Sequence, residues 1–522
     1  MGKLKKLLPV AALIGLCALI FSLRLYTYNE PLERDLTTYA VIAHEMLNGK
    51  NLYSDLWDHK PPATHVTYAA AELVAGYGRD SIFLMNVAAA VATLFVCYWA
   101  GSLAGGGRVA GCFAAAFWAF TSGNLALEGN QPNTEVFMNV FLAAGFAMLV
   151  RAEKRNLGAR GAFIVGVLFA VASLYKQVVV VQPALLTIAY VACCDPKLRK
   201  RAFGDVLIIA ATGVAIWALV LGYFFTRGSG SVFVESVFSY NRYYSSSLSH
   251  QALHNFRGWM ALSPAILVVT LPVALVLAVG IVHGLTVAPQ RHWILLLVYL
   301  IASEVAVLLP GWPFPHYYQL LLPPLAIGAG WSIELLWRVL PRAWSFVSYA
   351  AGAAACAVVV LVQLPSYFIP AEDWSVEKYG NLFVETERFA GKIDSLLARD
   401  ETFYEWGSES GLYFTTGRRP PSGIFFAFPM LGGPLKEKLS RRLIEDLKQS
   451  QPDLIVADVA TMTLTEREHP VLNWFRENYK AFARTDNFLL FARNGSRLGQ
   501  QVVAMRANGE LRVLGAQLQQ LK

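Results

Sequence analysis

About eleven runs of apolar residues, most of them near the roughly 20 residues that span a bilayer, occupy the first 364 positions and leave few folds open to this chain. They fall near 7–25, 82–103, 109–121, 135–150, 162–174, 178–194, 203–225, 262–282, 293–309, 320–337 and 346–364. Lipid offers the backbone no hydrogen-bond partners, so each run is expected to be a helix and the region an all-α polytopic membrane protein. The runs at 109–121 and 162–174 are short enough to be tilted or broken. A composition of 55% hydrophobic and 15% charged residues, with a mean hydropathy of +0.43, excludes an ordinary soluble chain. Lys3, Lys5 and Lys6 precede the first run in the order of a signal peptide. That run is long enough to span and no small-x-small cleavage site follows it, so an uncleaved first helix is expected.

The formal net charge of +8 would suggest a nucleic-acid partner in a soluble protein, but here the cations are spread over loops and no nucleic acid is implied. Basic clusters occur at the N-terminus, at Arg151/Lys154/Arg155/Arg160, at Lys197/Arg199/Lys200/Arg201 and at Arg338/Arg342. They fall on alternate loops, which places them together on the cytoplasmic side. The opposite loops are 26–81, 122–134, the turn at Lys176-Gln177, 226–261 and 310–319. With an odd number of helices, the tail after 364 is also outside. Cys17, Cys97, Cys112, Cys193, Cys194 and Cys356 sit in or beside apolar runs, with neither metal-ligand spacing nor a disulfide framework.

Two domains follow: a membrane region over 1–365 and an outer domain over 366–522. In the tail, helices are expected over 376–398, 434–449 and 471–480 and strands over 402–406, 453–457 and 488–492, an alternation that reads as a small soluble α/β domain. It carries no Gly-rich phosphate loop and no metal motif, which suits a structural or acceptor-orienting cap. No internal repeat is visible, and this weighs slightly against a transporter built from two halves.

Chemistry-bearing residues gather on the outer loops. The stretch from Glu30 to Pro62 is the densest, with Asp35 at its centre. Leu36, Tyr39, Ala40, Ala43, Met46 and Leu47 recur at helical spacing, so a helix is expected to lie in the membrane interface with one face buried. Asp35 at its start could be an N-cap or a carboxylate that meets an acceptor, and the two are compatible. Asp58-His59-Lys60-Pro61-Pro62 fixes an extended chain and presents Lys60 at the depth of a lipid phosphate, although a snorkelling lysine has the same spacing. Glu135 opens an apolar run, where capping is the plain alternative. Lys176 interrupts a nearly continuous apolar stretch, which is costly unless the charge reaches the interface or an anion. Arg242 and Arg257 are further candidates for a phosphate. Tyr39, Glu135, His316 and Tyr317 are candidates for substrate contact, within segments whose aromatics also suit anchoring at the membrane interface.

In their order and common sidedness, Asp35 after the first run, Lys60-Pro61-Pro62, Thr134-Glu135, Tyr175-Lys176-Gln177 and the run from His316 to Pro323 resemble one family. It is the bacterial group of GT-C glycosyltransferases that holds the relatives of protein O-mannosyltransferases and the lipid A aminoarabinose transferase. The resemblance covers roughly 1–364 and implies a multi-pass protein of the bacterial inner membrane. It also implies a polyprenyl-phosphate sugar donor and a lipid, glycan or protein acceptor met on the periplasmic side. Carried over residue by residue, it makes Asp35 the catalytic base, Lys60 and Lys176 the ligands of the carrier phosphate, and Glu135 the acidic position before the fourth helix. Where the aminoarabinose enzyme has an acid before its lysine, this chain has His59, so a divalent metal ion would have to be held otherwise, for instance by His59 with His316. A transporter or flippase of lipid-linked glycans is the rival reading, and an oligosaccharide polymerase or ligase a third.

Overall fold

The computed structural model describes residues 2–508 apart from 105, 153–155, 246–247, 287–289 and 313, and omits the side chains of 2–6, 248–256, 258–263 and 265. Lys154, Arg155 and Pro313, and the side chains of His254, Asn255 and Phe256, thus lie outside the described residues.

Each of the apolar runs forms a helix. Helices α1 (Gly2–Tyr26), α4 (Arg79–Gly101), α6 (Thr134–Arg151) and α9 (Arg199–Thr226) belong to a bundle completed by Leu248–Thr286, Arg291–Leu308, Leu322–Val339 and Phe346–Gln363. Eight helices among the described residues are long and apolar enough to cross a membrane. The runs expected to be short are α5 (Gly107–Thr121) and α7 (Gly158–Ser173), and α8 (Val181–Ala192) is shorter still. Small residues let the bundle close: a Cβ on Gly330 would meet the Ala110 carbonyl at 2.4 Å, and one on Gly101 would meet Ala114 Cβ at 2.7 Å. Such backbone approaches are how helices associate where lipid removes the hydrophobic drive.

The first loop holds α2 (Arg34–Leu47) and α3 (Ala63–Ala75). Here the expected one-faced interfacial helix is corrected, because α2 is buried without a break from Leu36 to Ala43. Leu36, Tyr39, Ala40 and Ala43 join the core of the membrane bundle, while Val41 and Ile42 join that of the C-terminal domain, the one expected to lie outside. The outer domain covers the face that sequence would leave to lipid headgroups. Thr37 and Thr38 hydroxyls lie 2.9 and 2.6 Å from Ser410 Oγ, and Arg419 donates to both carboxylate oxygens of Glu45 at 2.9 and 2.6 Å.

The outer domain has a four-stranded sheet of order β1-β2-β4-β3, where β1 is Phe403–Trp406, β2 Leu454–Asp458, β3 Tyr479–Arg484 and β4 Phe488–Arg493. β1 and β2 are parallel and the other pairs antiparallel. The strands expected from sequence are present, and β3 is an addition. The helix expected through 480 ends at Asn478, and the chain turns into an edge strand with a bulge at Ala481/Ala483. The single helix expected over 376–398 is two, Ala371–Tyr379 and Leu382–Leu396, broken at Gly380, whose φ of +69° suits glycine.

Candidate active site

A cavity of about 940 Å³ opens at one end of the bundle. Every outer loop marked by the charge pattern contributes to its lining, through residues such as Asp35, Lys60, Glu128, Lys176, Arg242 and His316, and the outer domain closes it with Lys378, Tyr379, Phe383 and Phe428.

Asp35 lies in the first turn of α2, but it does not cap the helix. Glu33 takes the N-cap place and no side-chain cap bond is made. Asp35 Oδ2 instead accepts from Tyr39 Oη at 2.9 Å and from Lys60 Nζ at 3.1 Å. The Lys60 ammonium also sits 4.6 Å from the centre of the Tyr39 ring. Burial pushes the Asp35 carboxyl up, yet Lys60, His316 and the Tyr39 hydroxyl more than offset it and hold it down to about 2. Burial would lower Lys60, and the carboxylates of Asp35 and Asp58 raise it above its ordinary value. The pair therefore stands ionised.

The double proline positions Lys60 with the help of its neighbours. Asp58 is fully buried; its Oδ1 accepts from the amides of His59 at 2.6 Å and Lys60 at 3.3 Å, and Oδ2 lies 3.0 Å from His65 Nε2. Tyr53 Oη donates to the Lys60 carbonyl at 2.8 Å and Asn241 Nδ2 to that of His59 at 2.7 Å. The Ala63 amide donates to the Leu174 carbonyl at 3.0 Å, which ties this turn to the one that carries Lys176.

Lys176 has a parallel arrangement. Its Nζ donates to Glu135 Oε1 at 3.0 Å and stands 3.3 Å from the centre of the Tyr317 ring. Burial lowers its pKa and Glu135 only partly restores it. Glu135 is fully buried behind Lys176 as its partner and is not among the lining residues.

Two further carboxylates complete the acidic side. Glu33 accepts from Asn133 Nδ2 at 2.6 Å, and burial together with nearby Asp35 raises it to about 8. Glu128 adopts a left-handed backbone, with φ +52°, and its Oε2 lies 2.9 Å from His316 Nδ1. A non-glycine residue in that region is strained, a cost seen where structure over-determines a site. Arg34 pairs with Glu409 of the outer domain at 2.9 Å.

Three solved structures share this architecture at 12–14% sequence identity. ArnT from Cupriavidus metallidurans, bound to undecaprenyl phosphate, has a TM-score of 0.58 and 14% identity over 94% of this chain and 98% of its own. The oligosaccharyltransferase AglB from Archaeoglobus fulgidus, in complex with an inhibitory peptide and a dolichol-phosphate, has a TM-score of 0.56 and 13% identity over 95% and 77%. The arabinofuranosyltransferase AftD from Mycobacteria has a TM-score of 0.50 and 12% identity over 93% and 40%. The chain has the GT-C glycosyltransferase fold. No protein-family model and no curated protein matches the sequence.

On this GT-C scaffold Asp35, Tyr39, His59, Lys60, Lys176, Arg242, His316 and Tyr317 all line one cavity. Arg257 is exposed and is not among the lining residues. His59 and His316 do not fit a shared metal ion. Each ring faces a carboxylate of its own, Asp58 at 3.3 Å and Glu128 at 2.9 Å, and among the described residues no group of three or more His, Cys, Asp or Glu is placed to hold one. Burial lowers His59 to about 4, so its ring is neutral at neutral pH. Glu33 and Glu128 were visible as acids in polar outer loops without a sign of their role. Lys378 gave no signal at all, since Ala371–Tyr379 reads as an ordinary polar surface helix.

Proposed function

We propose that the protein is a membrane glycosyltransferase that moves a sugar from a polyprenyl-phosphate donor to an acceptor hydroxyl. The observation that carries this reading is the convergence of a partly exposed carboxylate and two lysines on one cavity at the end of a membrane bundle. That ArnT was solved with undecaprenyl phosphate and AglB with a dolichol-phosphate supports a lipid-phosphate ligand.

In this scheme the donor phosphate draws Lys60 and Lys176 to its oxygens by charge-assisted hydrogen bonds. Asp35 loses the cation that depresses it, and burial then makes it a better base. It takes the proton of the acceptor hydroxyl as that oxygen attacks the anomeric carbon from the face opposite the phosphate. The bond from carbon to phosphate oxygen breaks, the polyprenyl phosphate leaves with the electron pair, and the two lysines stabilise its charge. A single displacement inverts the anomeric centre. That the loops which build the cavity alternate with the basic loops supports a reaction on the periplasmic side of a bacterial inner membrane. The flippase alternative would put ionisable groups along a path through the bundle, whereas here they gather at one end, with Glu304 as an exception.

The test is transfer of labelled sugar from a polyprenyl-phosphate donor by wild type and Asp35→Asn in spheroplasts and inverted vesicles. Expected are transfer by wild type in spheroplasts only and loss of transfer in Asp35→Asn. Binding of undecaprenyl phosphate should stay equal or become tighter, because Lys60 is released. Full activity in Asp35→Asn would remove the base from the scheme.

A further inference from the structure

The side of the cavity next to the lysines is a continuous aromatic arc. His59 and Tyr244 have ring centres 5.5 Å apart with planes 32° apart, Tyr244 and Trp312 5.7 Å and 34°, Trp312 and Phe314 6.4 Å and 22°, Phe314 and His316 5.7 Å and 12°. All five rings line the cavity. Successive planes turn by only 12–34°, so the rings follow one another as one curved wall. One end adjoins Lys60 and the other adjoins Tyr317, over which Lys176 sits. Phe428 of the outer domain closes onto Tyr244 with its edge, at 6.0 Å and 76°, and is 47% exposed.

An isoprenoid chain and a saccharide can both lie on aromatic faces, and two features favour the saccharide. Every ring of the arc except Phe314 carries a polar edge atom, which suits a ligand with an apolar face and a hydroxyl rim. Of the five, only His316 falls in a helix long and apolar enough to cross a membrane, so the arc runs through the loops beyond those helices and meets the C-terminal domain at Phe428. We infer that the arc is the acceptor subsite and that the acceptor is a glycan, whose sugar rings stack on Tyr244, Trp312 and Phe314 while its terminal hydroxyl reaches Asp35. This rests on the transferase reading above and names its acceptor class.

The experiment uses the full-length protein in nanodiscs, with wild type, Trp312→Ala, Trp312→Phe and Tyr244→Ala. Two readouts are taken: binding of undecaprenyl phosphate, and transfer of labelled sugar to a cell-envelope fraction followed by digestion of the product. Losing one stacked ring is expected to cut acceptor transfer by about fivefold to tenfold, with undecaprenyl phosphate binding within about twofold of wild type and Trp312→Phe recovering most of the loss. The label should resist protease and be released by glycan cleavage. Label released on peptides by protease, or carried on a lipid without a glycan, overturns the inference. So does weaker binding of undecaprenyl phosphate in Trp312→Ala and Tyr244→Ala, which would assign the arc to the prenyl chain. If wild type neither binds undecaprenyl phosphate nor moves label, the transferase reading itself fails, and the arc loses its ligand with it.

Discussion

Replacing Lys60 with methionine removes the cation from Asp35 and keeps most of the side chain's bulk. At 3.1 Å the attraction amounts to about 5 kcal/mol for an effective dielectric constant of about 20. Lys60 keeps 13% and Asp35 28% of its side-chain surface open to the cavity, so the expected coupling is nearer about 3 kcal/mol, the low end for breaking a buried pair. At about 1.4 kcal/mol per pKa unit this is about two units. It carries Asp35 from about 2 back to its ordinary 3.8 or just above, because burial then acts with less opposition. The sign follows from the depressed value: in wild type the contribution of Asp35 to stability is complete above pH 3.8 and is lost as pH falls toward 2. In Lys60→Met that loss disappears from the window, since the stabilisation is already gone. The assay is denaturant unfolding in mixed micelles at neutral and acid pH for Lys60→Met, Asp35→Asn and the double variant. At neutral pH each single change should cost about 3 kcal/mol and the double change much less than their sum. Additive costs, or a coupling below about 0.5 kcal/mol, would refute the account of Asp35 as a carboxylate held by one lysine.

Lys176→Ala leaves Glu135 buried without its cation and should destabilise by about 3–5 kcal/mol, and adding Glu135→Gln should recover most of that in the same unfolding assay. A Cβ at Gly423 would meet the Asp55 carbonyl oxygen at 1.8 Å, backbone against backbone. Gly423→Ala should therefore part the outer domain from the first loop, with faster proteolysis there and loss of transfer; unchanged proteolysis would show that this contact does not hold the two together.

Hydropathy made the helices legible, because each apolar run stands alone as a signal, and loop charge grouped the segments that meet at the cavity. Asp35, Lys60 and Lys176 could be found because each breaks an apolar or proline-fixed context. The pairings between loops could not. Pairing between Asp58 and His65, Glu128 and His316, or Arg34 and Glu409 depends on which loops fold against one another, and residue spacing carries no trace of it. The interfacial placement of α2 failed for the same reason: its apolar stripe was read correctly, but its other face is covered by a domain more than 300 residues away in the chain, as the contact from Thr38 to Ser410 shows. Strand β3 was missed because Tyr479–Arg484 is a bulged edge strand whose apolar residues continue the pattern of the preceding helix.

Lys378 of the C-terminal domain is buried against Glu30 of the first loop and donates to Asn130 at 3.1 Å, joining segments far apart in the chain inside the structure. During synthesis Glu30 therefore emerges long before the lysine that neutralises it. At about 5–20 residues per second the first loop waits on the order of tens of seconds, with Glu30, Glu33 and Asp58 still hydrated, while the whole bundle is inserted. A ribosome that stops after Phe346–Gln363 leaves a complete set of membrane helices around a site that has never been dry. The site is thus completed only when the last third of the chain has folded over the bundle, and not when the helices are in place.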